Sequence, residues 1–346
     1  MSLETLFLVN CSAIPQLPAR FCSLTAIKKL AFVELPLEAL PSDIEELTNL
    51  ESLFLYGRYI QQISASFAQL SSLKRLKLYD CRIGELPEEI GKLSRLQELT
   101  ITSCTIRKLP EAVTCLVDLQ VLVICDLESI SVPTRLDNFT KLKVLQLPRF
   151  ALPHEPPKVL PSSLETLSLG FYRFSQRSGH VEFGKAISRN LVNLKHLKMV
   201  LDDDAEKFPF PLRFSPDLRT LEIISAKSLK KLPRIGLALQ QLRKLKMIHA
   251  NSLTELPASI TKLQHLTSLQ CCLPSLLLAW KLIGVIRRAI KHMLMWISQS
   301  CSFGKAHSHV FPHDLSRASG VSRISTPAVP HTVAWHTALP VLAQMV

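Results

Sequence analysis

Glycine, aromatic side chains and paired cysteines are what this sequence has least of. Ten glycines and 6% aromatics stand beside 47% apolar residues in 346, a balance that excludes a disordered chain and describes a folded, leucine-rich one. Nine cysteines, an odd number, include no C-x-x-C pair. That argues against a disulfide framework and for free thiols in a reducing, cytoplasmic compartment, where the sequons at Asn10 and Asn138 stay unmodified. The opening MSLETLFLVNCSAIP carries an acid, Glu4, and no basic stretch, so no secretory leader is expected. H-E-x-x-H, G-x-S-x-G and paired zinc-knuckle patterns are absent as well, and the expectation is a protein that is not an enzyme and needs no cofactor or metal.

Acidic residues are nearly missing from one end. Residues 271–346 hold seven Lys/Arg against a single acid, Asp314, whereas residues 1–270 hold 34 against 27. All three tryptophans (280, 296 and 335) and six of eleven histidines also fall in that tail. Two regions of different kind are implied.

What the chain does have is a period. LKRLKLYDCRIGELPEEIGKL, from Leu73, and LQELTITSCTIRKLPEAVTCL, from Leu96, match in their apolar positions at an offset of 23 residues. The pattern L-x-x-L-x-L opens at residues 3, 27, 50, 73, 96, 119, 142, 164, 194, 218, 242 and 266. The steps are 22 to 24 residues, with one of 30 between 164 and 194.

Alternation such as Leu76-Lys77-Leu78 or Leu99-Thr100-Ile101 puts aliphatic side chains on one strand face and polar ones on the other. So short a strand gains a ladder on both edges, and a shared core, only when stacked between its neighbours. The ninth position of a repeat (Cys11, Cys81, Cys104) lies where the chain leaves the strand. A thiol there packs as a small hydrophobe and donates weakly to backbone carbonyls. In the return limb L-P-x-x-I/V-x-x-L recurs at Leu86-Pro87, Leu109-Pro110 and Leu256-Pro257, where proline suits the first turn of a short helix. The expected fold is α/β: a solenoid of about twelve repeats over residues 1–272, its curved parallel sheet lining a horseshoe with short helical turns on the convex side.

This consensus resembles that of leucine-rich repeat proteins. LRKLKMIHANSLTELPASITKLQHL, residues 242–266, is similar to the repeat region of plant nucleotide-binding disease-resistance proteins and of cytosolic Ras-scaffold proteins. It lacks the L-x-G-x-I-P turns of extracellular plant receptors. The resemblance covers the repeats alone. It implies recognition of a protein ligand in defence or immune-type signalling, without catalysis, and the family's nucleotide-binding module has no counterpart here.

Packing claims the leucines, so recognition is left to the positions between them. Phe54, Tyr56, Arg75, Lys77 and Tyr79 fall side by side on the expected concave face, and aromatic and Arg residues on a rigid sheet are favoured partner anchors. A second group, Lys195, His196, Lys198, Arg219, Arg243, Lys244 and Lys246, either meets an acidic partner or forms a solvated face that keeps the solenoid soluble.

The long step carries an insertion, FYRFSQRSGHVEFGKAISRN. Its Gly179, Gly184 and Lys185 imitate a phosphate loop, but Ala186 replaces the Ser/Thr that would hold Mg²⁺ and no apolar strand leads in; no nucleotide is expected. His307, His309 and His313 have no standard metal spacing.

Residues 273–298 read as a basic amphipathic helix. Lys281, Arg287, Arg288, Lys291 and His292 fall within an arc of about 140° opposite Ile283, Ile286, Ile290, Met293 and Ile297, too charged to span a bilayer. Three uses stay open: attachment to an anionic membrane surface through those cations, folding back over the last repeat, or none at all. Residues 299–346 read as an unstructured tail. At the other end the first repeat is expected to leave its core edge open for a partner or a preceding domain.

Overall fold

The structure is a computed structural model that describes residues 3–271, apart from 15, 128–129, 134–135, 151–159, 172–190, 202–205, 207, 209–215, 226, 233–234, 236–238 and 254–256. The chain divides into two compact units, Met1–Ile297 and Ser298–Val346, and the described residues belong to the first. The expected helix of 273–298, the tail of 299–346 and the insertion's Gly179, Gly184, Lys185 and Ala186 lie outside them.

Twelve strands follow one another: β1 (Thr5–Val9), β2 (Lys29–Val33), β3 (Ser52–Tyr56), β4 (Arg75–Tyr79), β5 (Glu98–Thr102), β6 (Val121–Cys125), β7 (Val144–Phe150), β8 (Thr166–Phe171), β9 (His196–Val200), β10 (Thr220–Ile224), β11 (Lys244–Ile248) and β12 (Ser268–Cys271). Each begins two residues after an opening leucine or isoleucine of the repeat pattern. They form a single sheet in sequence order, and the pairing is parallel throughout. This is the expected repeat solenoid.

Register follows from burial. Leu53, Leu76, Leu99 and Leu122 stand in one row across β3–β6 and are closed off from solvent; a slip of one residue would turn every such side chain to the other face. The row belongs to one continuous core running from Phe21 to Leu263. β1 is the exception. Leu6 and Leu8 are only partly buried, whereas their partners Leu30 and Phe32 are at 0% exposure.

The convex turns are 3-10 segments of three to five residues, such as Glu88–Lys92, Glu111–Cys115 and Ala258–Lys262. Sequence spacing explains their type: Pro87, Ile90 and Leu93 are three apart, the period of a 3-10 helix, so one face carries all three. The Ile90 N–H donates to the Pro87 carbonyl at 3.0 Å and the Leu93 N–H to the Ile90 carbonyl at 3.1 Å. Proline does not sit inside the first turn as expected. Pro87, Pro110 and Pro257 immediately precede it with extended backbone (φ −65, −63 and −62°), because the carbonyl of that residue is what receives the first helical hydrogen bond.

The pattern itself did not reveal how each strand ends. Asn10, Glu34, Asp80, Ser103, Asp126, Ser225 and His249, each one residue past its strand, all adopt φ between 51 and 58°, and Gly57 takes +140°. The N–H groups of Asn10, Glu34, Gly57, Asp80, Ser103 and Ser225 carry the ladder one step further, as in Asn10 to the Val33 carbonyl (2.8 Å) and Asp80 to the Thr102 carbonyl (2.9 Å). Asn, Asp and Gly tolerate this region best. Between β7 and β8 the register shifts at Leu147/Arg149, where Pro148 supplies no donor to the ladder.

Two substitutions check these assignments. Leu99→Ala should remove about 2–5 kcal/mol of stability, measured as a shift of the urea unfolding midpoint. Ser103→Val should lose about 1–2 kcal/mol through backbone strain alone, since Ser103 is exposed, while Ser103→Gly should lose none.

Candidate recognition surface

The outward face of β3 and β4 is built in pairs: Ser52 beside Arg75, Phe54 beside Lys77 and Tyr56 beside Tyr79. Strand pairing therefore unites all five residues expected there. It does not leave them equally available. Phe54 is 2% exposed, its ring 5.4 Å from that of Tyr79 at a tilt of 39°, and Ala31, its neighbour on β2, is fully buried. The expectation of Phe54 as an exposed anchor is corrected: the Tyr79 ring on β4 packs against it, and it braces that ring. Lys77 is also committed. Its Nζ lies 3.0 Å from Glu98 Oε1 on β5, with the two side chains 12% and 24% exposed.

Tyr56 and Tyr79 remain half-buried and Arg75 exposed. Burial, with added repulsion from Glu98 and Cys125, raises the Tyr79 phenol above its ordinary pKa, so it stays a neutral donor and acceptor at physiological pH. A rim that sequence reasoning missed borders the pair. Arg58 Nε meets Asp80 Oδ2 at 3.0 Å, and Glu34 packs against Gly57, where a Cβ would come within 3.3 Å of the Glu34 backbone. Desolvation, then Asp80, raises the Glu34 carboxyl above its usual range, with Arg58 opposing. The available signal was the run of αL-tolerant residues, Asn10, Gly57 and Asp80, at one repeat position.

Farther along, β9–β11 carry the second expected group. Lys198, Glu222 and Lys246 stand in one row, with His196, Arg219, Arg243 and Lys244 exposed around them. Lys195 is excluded from that group, because its Nζ is held 2.8 Å from Glu165 Oε2.

The ninth-position thiols behave as expected. Cys81 Sγ donates to the Tyr79 carbonyl and Cys104 Sγ to the Thr102 carbonyl, both at 3.3 Å, and Cys11 Sγ to the Val9 carbonyl at 3.5 Å. Hydrogen bonding to Cys104, together with burial, pushes the Cys81 thiol upward. Cys125 faces outward on β6, but burial and then Asp126 push it up to about 11, so it is a thiol and not a thiolate at neutral pH. Among the described residues no group of three or more His, Cys, Asp or Glu could hold a metal ion, and no helix is long and apolar enough to cross a membrane.

A family model described as a leucine-rich repeat region matches residues 64–234. The fold is a leucine-rich repeat solenoid. A leucine-rich repeat protein of Leptospira interrogans is similar in structure, with a TM-score of 0.52 at 20% identity over 83% of this chain and 88% of that one. The functional domain of InlJ from Listeria monocytogenes, which includes a cysteine ladder, gives a TM-score of 0.51 at 14% identity over 78% of this chain and 63% of that one. No curated protein matches the chain in sequence. Such solenoids are typically non-catalytic binding scaffolds.

Phe54→Ala should act as a core deletion and remove about 3–5 kcal/mol, read by urea unfolding. Glu34→Gln tests the rim. Because the folded chain holds the Glu34 proton more tightly than the unfolded one, the associated stability is present below the ordinary carboxylate range and is lost as pH rises through the raised pKa. The substitution should therefore raise the unfolding midpoint at pH 7, and the gain should vanish below about pH 4.

Proposed function

We propose that this chain is a recognition scaffold that binds a protein partner on its concave sheet, with Tyr56, Tyr79 and Arg75 as the central anchors. The observation that carries the reading is the Phe54–Tyr79 pair: a ring 2% exposed packed against a half-buried phenol. Tyrosine presents large area with only two torsions to freeze, and here one of the two is already braced. Arg75, exposed at the opposite end of β4 from Tyr79, adds a fixed fork of donors that suits a carboxylate or carbonyl of the partner.

The resemblance of the repeats to plant disease-resistance and Ras-scaffold proteins extends this reading to cytoplasmic, defence-type signalling, in which the scaffold contributes binding and no chemistry. Free thiols support the same compartment: Cys11, Cys22, Cys81, Cys104, Cys115 and Cys125 are all unpaired.

The test is affinity capture with the full chain from cytosolic extract, followed by titration of the captured partner. Tyr56→Ala combined with Arg75→Ala should weaken binding at least tenfold, on the scale of interface hot spots, with an unchanged circular-dichroism melt. Glu85→Ala, an exposed position off the sheet, should leave affinity unaltered. Equal affinity in all three proteins would move the partner to another face.

A further inference from the structure

The residue just before each strand forms a column along one rim of the sheet, and for much of its length that column neutralises itself. Glu4 holds Lys28 at 2.8 Å, Glu51 holds Lys74 at 3.1 Å and Glu165 holds Lys195 at 2.8 Å. In the next two repeats the alternation stops. Arg219 and Arg243 occupy the column in succession, joined by the Arg243 N–H to the Arg219 carbonyl at 2.8 Å, both exposed and without an ion pair among the described residues. Two guanidinium stems one strand spacing apart, about 4.8 Å, repel each other. Toward the sheet centre Lys198 and Lys246 flank the lone acid Glu222. Beyond them Val200, Ile224 and Ile248 form a half-buried aliphatic row. Cations thus border one side of a shallow track and aliphatic side chains the other.

We propose that β9–β11 bind an extended acidic peptide segment, its carboxylates directed to Arg219, Arg243, Lys198 and Lys246 and its alternate apolar side chains laid on Val200, Ile224 and Ile248. The inference rests on the concave-face reading above and names the chemistry of the partner there. An extended chain sends successive side chains to opposite sides, which is the division the track offers. Nucleic acid fits less well: single strands bind through stacked aromatics, and the described outward positions of β9–β11 hold no Phe, Tyr or Trp.

Fluorescence anisotropy with the full chain tests this, using a labelled decapeptide of alternating Glu and Val as probe. Binding should exceed that of the Gln–Val and Glu–Ser decapeptides at least tenfold and weaken between 50 and 200 mM salt. R219E/R243E should weaken it at least tenfold, and R95E/R107E, an equal charge change at exposed positions elsewhere, less than twofold. Three results overturn the proposal: no preference for Glu–Val, equal loss in both charge reversals, or tighter binding of a ten-nucleotide oligouridine or of phosphatidylserine vesicles. R219E/R243E leaves Tyr56 and Tyr79 untouched. If it leaves acidic-peptide binding unchanged while Tyr56→Ala still abolishes capture, this inference fails and the concave-face reading stands.

Discussion

Backbone hydrogen bonds between successive turns are the constraint from which everything else follows. A strand of five residues cannot satisfy its own donors and acceptors, and in a parallel sheet each must find them one repeat away. Here the requirement is met from repeat to repeat, from the Glu4 carbonyl receiving the Lys28 and Lys29 N–H groups to the Arg243 carbonyl receiving those of Thr267 and Ser268, with one irregularity at Leu147/Arg149. The leucine rows keep that ladder in register, because any slip would trade a fully buried side chain such as Leu76 for an outward one such as Lys77. The 3-10 limbs return the chain in as few residues as possible and pack their own leucines on the same core.

That division of labour has a consequence for function. With every second residue of a strand consumed by the core, the outward columns are rigid in position yet free in identity, and neighbouring repeats decide together what a column offers. Phe54 is lost to solvent because Tyr79 lies against it, and Lys77 is neutralised because Glu98 is its diagonal neighbour on the next strand. Arg219 and Arg243 are exposed and without an ion pair among the described residues because the two repeats between Lys195 and Thr267 supply no acid to that column. A surface charge pair contributes little to stability, so a column left unneutralised gives up little in the free protein and leaves its cations open to an external anion.

Much of the fold was legible in the residues. Twelve openings of one pattern predicted twelve strands, and the three-residue spacing of Pro87, Ile90 and Leu93 anticipated short helical turns. The left-handed residue that closes β1, β2, β4, β5, β6, β10 and β11 was harder to see, since Glu34, Ser103 and His249 are not the residue types that conformation favours. Glu34 and Ser103 are each held by a carbonyl on the following repeat, and no local window of sequence contains that partner. The Glu34, Arg58 and Asp80 rim was missed for the same reason: its members come from three different repeats.

The sequence by itself determined the architecture, because a period of apolar positions is a local and repeated statement that only one kind of stacking satisfies. Which outward side chains remain available was decided by tertiary structure alone. Exposure at Phe54, Tyr79 or Arg243 is a property of three adjacent turns, about 23 residues apart along the chain and one strand spacing apart in space. Side-chain size and charge on the flanking strands set it, and neither can be read from the residue itself.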